Sequence, residues 1–178
     1  MLGRVRYRVR QVVRGFDTRL APDEIRAVRS LLSDRELSLF LEMDRRDQRH
    51  SVDLVYQLDR VQTAAGPPSM SLRRAALLHD VGKGRLAVWA RSAFVLLNLT
   101  STRLARRLEV EGSPGLRGAL WRIRYHASLG AIRLVEFGVE ERVVELVRYH
   151  TAEERRVLPR RLVDDTDLAR LITADEAT

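Results

Sequence analysis

The residues best suited to chemistry gather around one short stretch, Leu77-Leu78-His79-Asp80-Val81-Gly82-Lys83. An imidazole and a carboxylate stand side by side at the end of an apolar run, and both are costly to bury without partners. A transition ion supplies such a partner, because imidazole and carboxylate both suit it as ligands. Neighbouring helical positions point about 100° apart, so both side chains can reach one ion placed over the helix end. Lys83 follows Asp80 by three residues, between Gly82 and Gly84, and is the only lysine among the 32 Lys and Arg of the chain. In a chain that otherwise uses arginine, this position gains a compact ammonium on a flexible stem; the alternative is placement without a role. The 4 histidines are His50, His79, His126 and His150, each near a helix end or beside an apolar segment. They are too widely spaced for a local zinc finger, so a shared site requires tertiary assembly. Taken singly, each reads as a surface or satisfied core residue. Their coincidence with Asp80 and Lys83 is what points to chemistry.

The bulk composition bounds the setting. A chain of 178 residues with 45% apolar content suits one globular domain with a small appendage. No apolar run approaches the roughly 20 residues of a membrane span. The basic start, Met1 to Arg10, lacks the apolar centre of a signal peptide, so a cytoplasmic location is expected. With Cys 0 there are no disulfides and no thiolate ligands, and a metal site must use His, Asp or Glu. The net charge of +8 and pI near 10.9 favour an anionic partner: nucleotide, nucleic acid or membrane surface. Gly82-Lys83-Gly84 is too short for a P-loop, and no glycine-flanked serine elbow accompanies the histidines.

The elements that must position these residues read as helices throughout. Residues 4–10 alternate in the manner of a strand, yet fit a peripheral basic helix in so helical a chain. Pro22 opens a short helix over 23–32. Ser33 with Glu36 forms a capping box for a helix running through Phe40 and Met43. The charged segment 44–48 is expected to turn the chain, and a helix over about 49–61 carries His50 in its first turn. Gly66-Pro67-Pro68 ends a linker that starts at Ala64. Ser69 or Ser71 caps the helix that delivers His79 and Asp80. A long helix is expected over about 86–108, offering Trp89, Phe94, Leu96, Leu97 and Leu104 to a core, with a kink or break at 100–102. A second linker covers 111–115. Residues 116–125 are helical, and 126–137 continue or restart that helix until Gly138 stops it. A helix over 139–149 ends at His150, residues 151–159 form a turn or loop, and a last helix covers 162–175 with Asp165 or Thr166 near its start. The fold class expected is all-α, a compact bundle of short amphipathic helices.

The order of these residues resembles the HD superfamily of metal-dependent phosphohydrolases, nearest to the subgroup named for its His-Asp-Ile-Gly motif. Arg49-His50-Ser51 resembles the family's histidine-serine helix start. Ala75 to Lys83 resembles the segment carrying the defining doublet almost letter for letter. His126 with Gly130-Ala131 behind it, His150 after a valine-rich helix, and Ala174-Asp175 follow in the family's order. The likeness covers about residues 48–176, so residues 1–47 are read as a basic and helical extension packed on the core of a domain at 48–178.

The resemblance implies that His50, His79, Asp80 and Asp175 hold one metal. It further implies that Asp80 bridges to a second ion with His126 and His150. Two-metal relatives often carry a histidine where this chain has Thr151. The second site is then weaker, completed by water or by Glu153 or Glu154, or absent. Two carboxylates with neutral imidazoles suit Mn, Fe, Co, Ni or Zn, and Mg less well. Asp80 and Lys83 are the expected catalytic residues, with Lys83, Arg124 and Arg148 (and Arg85) as candidate anion contacts; for the arginines the alternative is a solvated helix surface. The function implied is hydrolysis of a phosphate ester or anhydride, in a nucleotide or related small metabolite. A catalytically impaired domain used for ligand binding or regulation is the alternative. Nucleic-acid binding through Arg4 to Arg14 is a third reading, without a finger pattern or aromatic platform to carry it. Pairing of two copies through residues 86–108 is also open.

Overall fold

A computed structural model describes residues 18–61, 66–84 and 88–178, apart from the side chains of Val88, Trp89 and Arg91. The basic segment at 4–10, Arg85, and part of the first linker lie outside the described residues. The described residues form helices and turns without strands, which gives the expected all-α bundle. In chain order the helices are α1 (Pro22–Leu31), α2 (Asp34–Glu42), α3 (Arg45–Arg60), α4 (Met70–Leu78), α5 (Val88–Thr100), α6 (Thr102–Leu108), α7 (Gly115–Glu136), α8 (Glu141–Tyr149) and α9 (Thr166–Ala177). Short 3-10 turns occupy Val81–Lys83, Glu154–Val157 and Arg160–Leu162. No helix among the described residues is long and apolar enough to cross a membrane.

Local sequence sets most helix ends. Pro22 occupies the first turn of α1, where a missing N–H costs nothing. Ser33 accepts from the Glu36 N–H, and the Glu36 carboxylate accepts from the Ser33 N–H at 2.9 Å, closing the box that starts α2. Of the two serines before α4, Ser69 is the cap, its hydroxyl accepting from the Leu72 N–H at 3.0 Å. Gly138 takes φ +69° after α7, a conformation costly for residues with a Cβ.

Two expected boundaries move, and one expected break is found. The charged segment 44–48 does not turn the chain: the Asp44 carboxylate accepts from the Arg46 N–H at 3.0 Å and caps α3, which starts at Arg45. Acidic residues stabilise a helix N-terminus, so charge there continues the helix. His50 consequently sits in the second turn. The break expected at 100–102 within the helix over 86–108 falls at Ser101, whose hydroxyl accepts from the Leu104 N–H and starts α6. The last helix begins at Thr166, with Asp165 accepting from the Leu168 N–H at 2.9 Å, because residues 160–162 form a separate 3-10 turn.

One core unites α1–α4, α8, α9 and the C-terminal half of α7. Phe40, Leu54, Leu72, Leu77, Leu78, Leu134, Leu146 and Leu171 are all but completely buried in it. α4 is central, packing on α3 and α8, while α9 lies across α3, α4 and α8. Val28, Leu32, Leu37, Leu39, Phe40 and Met43 belong to the same core, so the described part of residues 1–47 shares it. The buried Glu36 carboxylate receives Arg74 Nη2 at 2.7 Å, and Arg74 Nη1 reaches Glu140 at 2.6 Å, tying α2, α4 and α8 together. The pair α5–α6 differs. It rests on α7 through Ala90 and Ala119, and Leu96 and Leu104, expected to face a core, are exposed.

Candidate metal centre

Five helices deliver one cluster. His50 comes from α3, His79 from the end of α4, His126 from α7, His150 from the end of α8 and Asp175 from α9, with Asp80 just after α4. Three overlapping groups are each close enough to share an ion, their candidate ligand atoms lying within 4.8 Å of one another. They are His50 with His79 and Asp80, His79 with His150 and Asp175, and Asp80 with His126 and His150.

Backbone carbonyls fix the ring orientations. His79 Nδ1 lies 2.9 Å from the Ala76 carbonyl, His126 Nδ1 2.8 Å from Ile123, and His150 Nδ1 2.6 Å from Val147. A carbonyl only accepts, so Nδ1 carries the hydrogen in each ring and Nε2 of the neutral ring carries the lone pair. Such backbone bonds set the tautomer of metal-ligating histidines. His79 and His150 obtain this bond because each follows the last residue of its helix. His126 obtains it beside a break at Tyr125, where φ −103° and ψ 16° leave the helical range. A close contact holds α7 there: a Cβ on Gly82 would come within 2.0 Å of the His126 carbonyl oxygen. The chain after Asp80 can therefore lie flat on α7.

Several inward-facing atoms lack a suitable protein partner. His126 Nε2 faces His150 Nε2 at 3.1 Å. With Nδ1 protonated in both neutral rings, two lone pairs meet, an arrangement suited to a cation between them. His79 Nε2 and Asp80 Oδ1 are buried without a hydrogen bond. Asp80 Oδ1 stands 3.4 Å from both His79 Nε2 and His126 Nε2, at the join between the groups. A second polar link is complete: His50 Nε2 donates to Asp175 Oδ1 at 2.9 Å. Nitrogen and carboxylate donors of this kind, with no thiolate, fit Mn, Fe, Co, Ni or Zn.

Electrostatics divides the groups. Burial holds His126 down to about 4, helped by the Lys83 charge, and holds His150 down to about 3, helped by His126 and His79. Both rings are thus neutral and ready to donate lone pairs near pH 7. Burial also acts against a charged His79, but Asp80 and then Asp175 outweigh it and raise its pKa. For Asp80, burial is outweighed by His79, Lys83 and His126, which hold its carboxyl well below the usual range. For Asp175, burial is outweighed first by the hydrogen bond from His50 and then by His79, whose Nε2 lies 3.5 Å away, with the same result.

The other expected residues divide. Lys83 Nζ donates to Asp80 Oδ2 at 2.6 Å, the oxygen other than the Oδ1 that His79 and His126 approach. Arg124 is held by Glu109 at 2.6 Å and Asn98 at 2.9 Å, with its guanidinium 5.3 Å from the Phe94 ring centre. Arg148 is exposed, its guanidinium 5.8 Å from the Tyr149 ring centre. No described contact draws either arginine into the cluster. Glu153 faces Arg106 at 3.3 Å and Arg156 at 3.1 Å, and Glu154 accepts from Ser128, so both carboxylates are engaged outside it. Sequence reasoning missed Glu109, Asn98 and the carbonyls of Ala76, Ile123 and Val147. The last could be inferred from histidines at helix ends; the side chains left no comparable signal.

Comparison with family models, with curated proteins and with solved structures gives no match.

Proposed function

We propose that the chain is a metal-dependent phosphohydrolase acting on a phosphate ester or anhydride of a nucleotide or related small metabolite. The observation that carries this is the inward convergence of His50, His79, Asp80, His126, His150 and Asp175 around orphaned donor atoms. The order of the same residues along the chain resembles the HD superfamily, which supports the same chemistry. On this reading His50, His79, Asp80 and Asp175 hold one divalent ion, and Asp80 with His126 and His150 can hold a second. A bound ion contributes Lewis acidity, easing deprotonation of water and withdrawing charge from a phosphoryl oxygen. The chain's residues do the positioning. Asp80 stays ionised between two imidazoles, the low pKa values of His126 and His150 keep their nitrogens free, and Lys83 offers a cation to a phosphate.

The second reading, a ligand-binding or regulatory domain with impaired catalysis, is favoured by Thr151, whose buried hydroxyl has no hydrogen-bond partner where relatives often carry a histidine. Elemental analysis together with phosphate release from a panel of nucleotides separates the two. We expect at least one divalent ion per chain and turnover in the wild type. His79→Ala and Asp80→Ala should lose most of the metal and nearly all turnover, with helicity retained by circular dichroism. Normal turnover in both variants would end the catalytic reading, and stoichiometric metal without turnover on any phosphate would favour the second.

A further inference from the structure

We infer that the helix pair α5–α6 is a docking surface for an anionic lipid bilayer. Val95, Leu96 and Leu99 on α5 are exposed by 56%, 63% and 79%, and α6 adds Leu104 at 47%. At about 100° per residue, Ser92, Val95, Leu96 and Leu99 share one arc of α5, away from Ala90, which is buried near Ala119. Single exposed apolar side chains are ordinary on a protein surface; several on one helical face mark a contact site.

Charge selects the occupant. From Val88 to Leu108 the sequence holds Arg91, Arg103, Arg106 and Arg107, and no Asp or Glu. Arg106 faces Glu153, but Arg103 and Arg107, one helical turn apart on α6, are exposed with no ion-pair partner among the described residues. A second copy of the chain would bring the same arginines and no carboxylate from this stretch to meet them, and like charges across an interface are unfavourable. A nucleic acid would satisfy the arginines but leave Val95, Leu96 and Leu99 against a polar backbone. Phe94, the described ring of α5, is only partly exposed and lies near Arg124. An anionic membrane surface satisfies both halves. The aliphatic side chains enter the boundary between headgroups and acyl chains, and the arginines pair with lipid phosphates. The net charge of +8 draws the molecule the same way.

The test is sedimentation of the full chain with vesicles of phosphatidylcholine alone and of equal parts phosphatidylcholine and phosphatidylglycerol. We expect binding to the mixed vesicles, little to the neutral ones, and weakening with added salt. Leu96→Glu with Leu99→Glu should reduce the partition at least about tenfold, while helicity and metal content stay unchanged because neither side chain is in the core. Arg103→Ser with Arg107→Ser should reduce it as well. Undiminished binding by the leucine variant would overturn the inference, because the basic residues 4–14 would then suffice. Failure to bind mixed vesicles, or equal binding to neutral ones, would also overturn it. So would a wild-type dimer in light scattering that the leucine variant converts to monomer. None of these readouts depends on phosphohydrolase activity.

Discussion

Lys83 acts in opposite directions on the two ligands proposed for the site. Its ammonium lies 2.6 Å from Asp80 Oδ2. A cation held at Oδ1 feels that charge as repulsion, and a phosphate approaching the same carboxylate feels it as attraction. Lys83→Ala should therefore keep its full metal content and raise KM for a phosphate substrate by about tenfold, with a smaller change in kcat. Saturation kinetics and elemental analysis on one sample measure both. Loss of metal would instead mean that the ammonium holds Asp80 in place. Much at this scale was legible. The His79-Asp80 doublet, the lone lysine and the helix-end positions of the histidines all pointed inward. The approach of His50 to Asp175 was not legible from spacing: 125 residues separate them, and only packing decides that α9 crosses α3. The engagement of Arg124 by Glu109 and Asn98 was hidden for the same reason.

Helices and turns control the distances between these groups, and the 3-10 turn at Val81–Lys83 is packed tightly against α7. Its Gly82 lies so close to α7 that an added Cβ would sit 2.0 Å from the His126 carbonyl oxygen and 2.4 Å from the Gly130 nitrogen, both backbone atoms that cannot rotate aside. Gly82→Ala must push the turn off α7, and Asp80 with it, away from His126. We expect a thermal midpoint lowered by several degrees, corresponding to roughly 1–3 kcal/mol of overpacking, and a weakened His126–His150 metal group even in molecules that fold. Metal titration followed by a melt reads both. A second element-scale test is Glu36, buried and closing both a cap and the Arg74 ion pair. Glu36→Ala removes the cap and leaves the Arg74 guanidinium only Glu140, and should cost about 2–3 kcal/mol in denaturant unfolding; a loss under about 1 kcal/mol would mean that Glu140 alone satisfies Arg74. Caps were the more readable part of the elements: Ser33-Glu36 declares itself in sequence, Ser69 stood beside Ser71 as one of two candidates, and Asp165 was a candidate near the start of a helix placed four residues too early. Charge at residues 44–48 misled, since a charged helix start and a charged turn share one composition. The exposure of Leu96 and Leu104 misled too, because periodicity identifies an apolar face without naming what covers it.

At the scale of the whole molecule, the proposed ligands come from α3, α4, α7, α8 and α9 and the residue just past α4, so a shared ion would join helices that the core alone must otherwise hold. Binding to the folded chain alone raises stability by about 2.7 kcal/mol when free metal exceeds Kd a hundredfold. The pH dependence follows from the imidazoles. His126 is lowered to about 4 and His150 to about 3, against an ordinary value of 6.5. Below 6.5 the unfolded chain binds more protons at these sites than the folded one, so stability falls as pH drops from about 6.5 towards 3. Asp80 and Asp175, both lowered, add a loss below the ordinary carboxylate range. His79, raised, works in the opposite sense: its contribution is complete below 6.5 and disappears as pH rises through its folded value. A proton on His79 also occupies the Nε2 lone pair that a metal needs, so acid weakens metal binding and metal binding releases a proton. Melts of metal-loaded and chelator-treated protein should therefore differ more once pH has risen past the folded-state value of His79 than on its acid side. Asp175→Ala should shrink the difference at high pH by removing one ligand. A metal-induced shift of equal size on both sides of that value, untouched by Asp175→Ala, would place the ion on other side chains and detach the bundle's stability from this cluster.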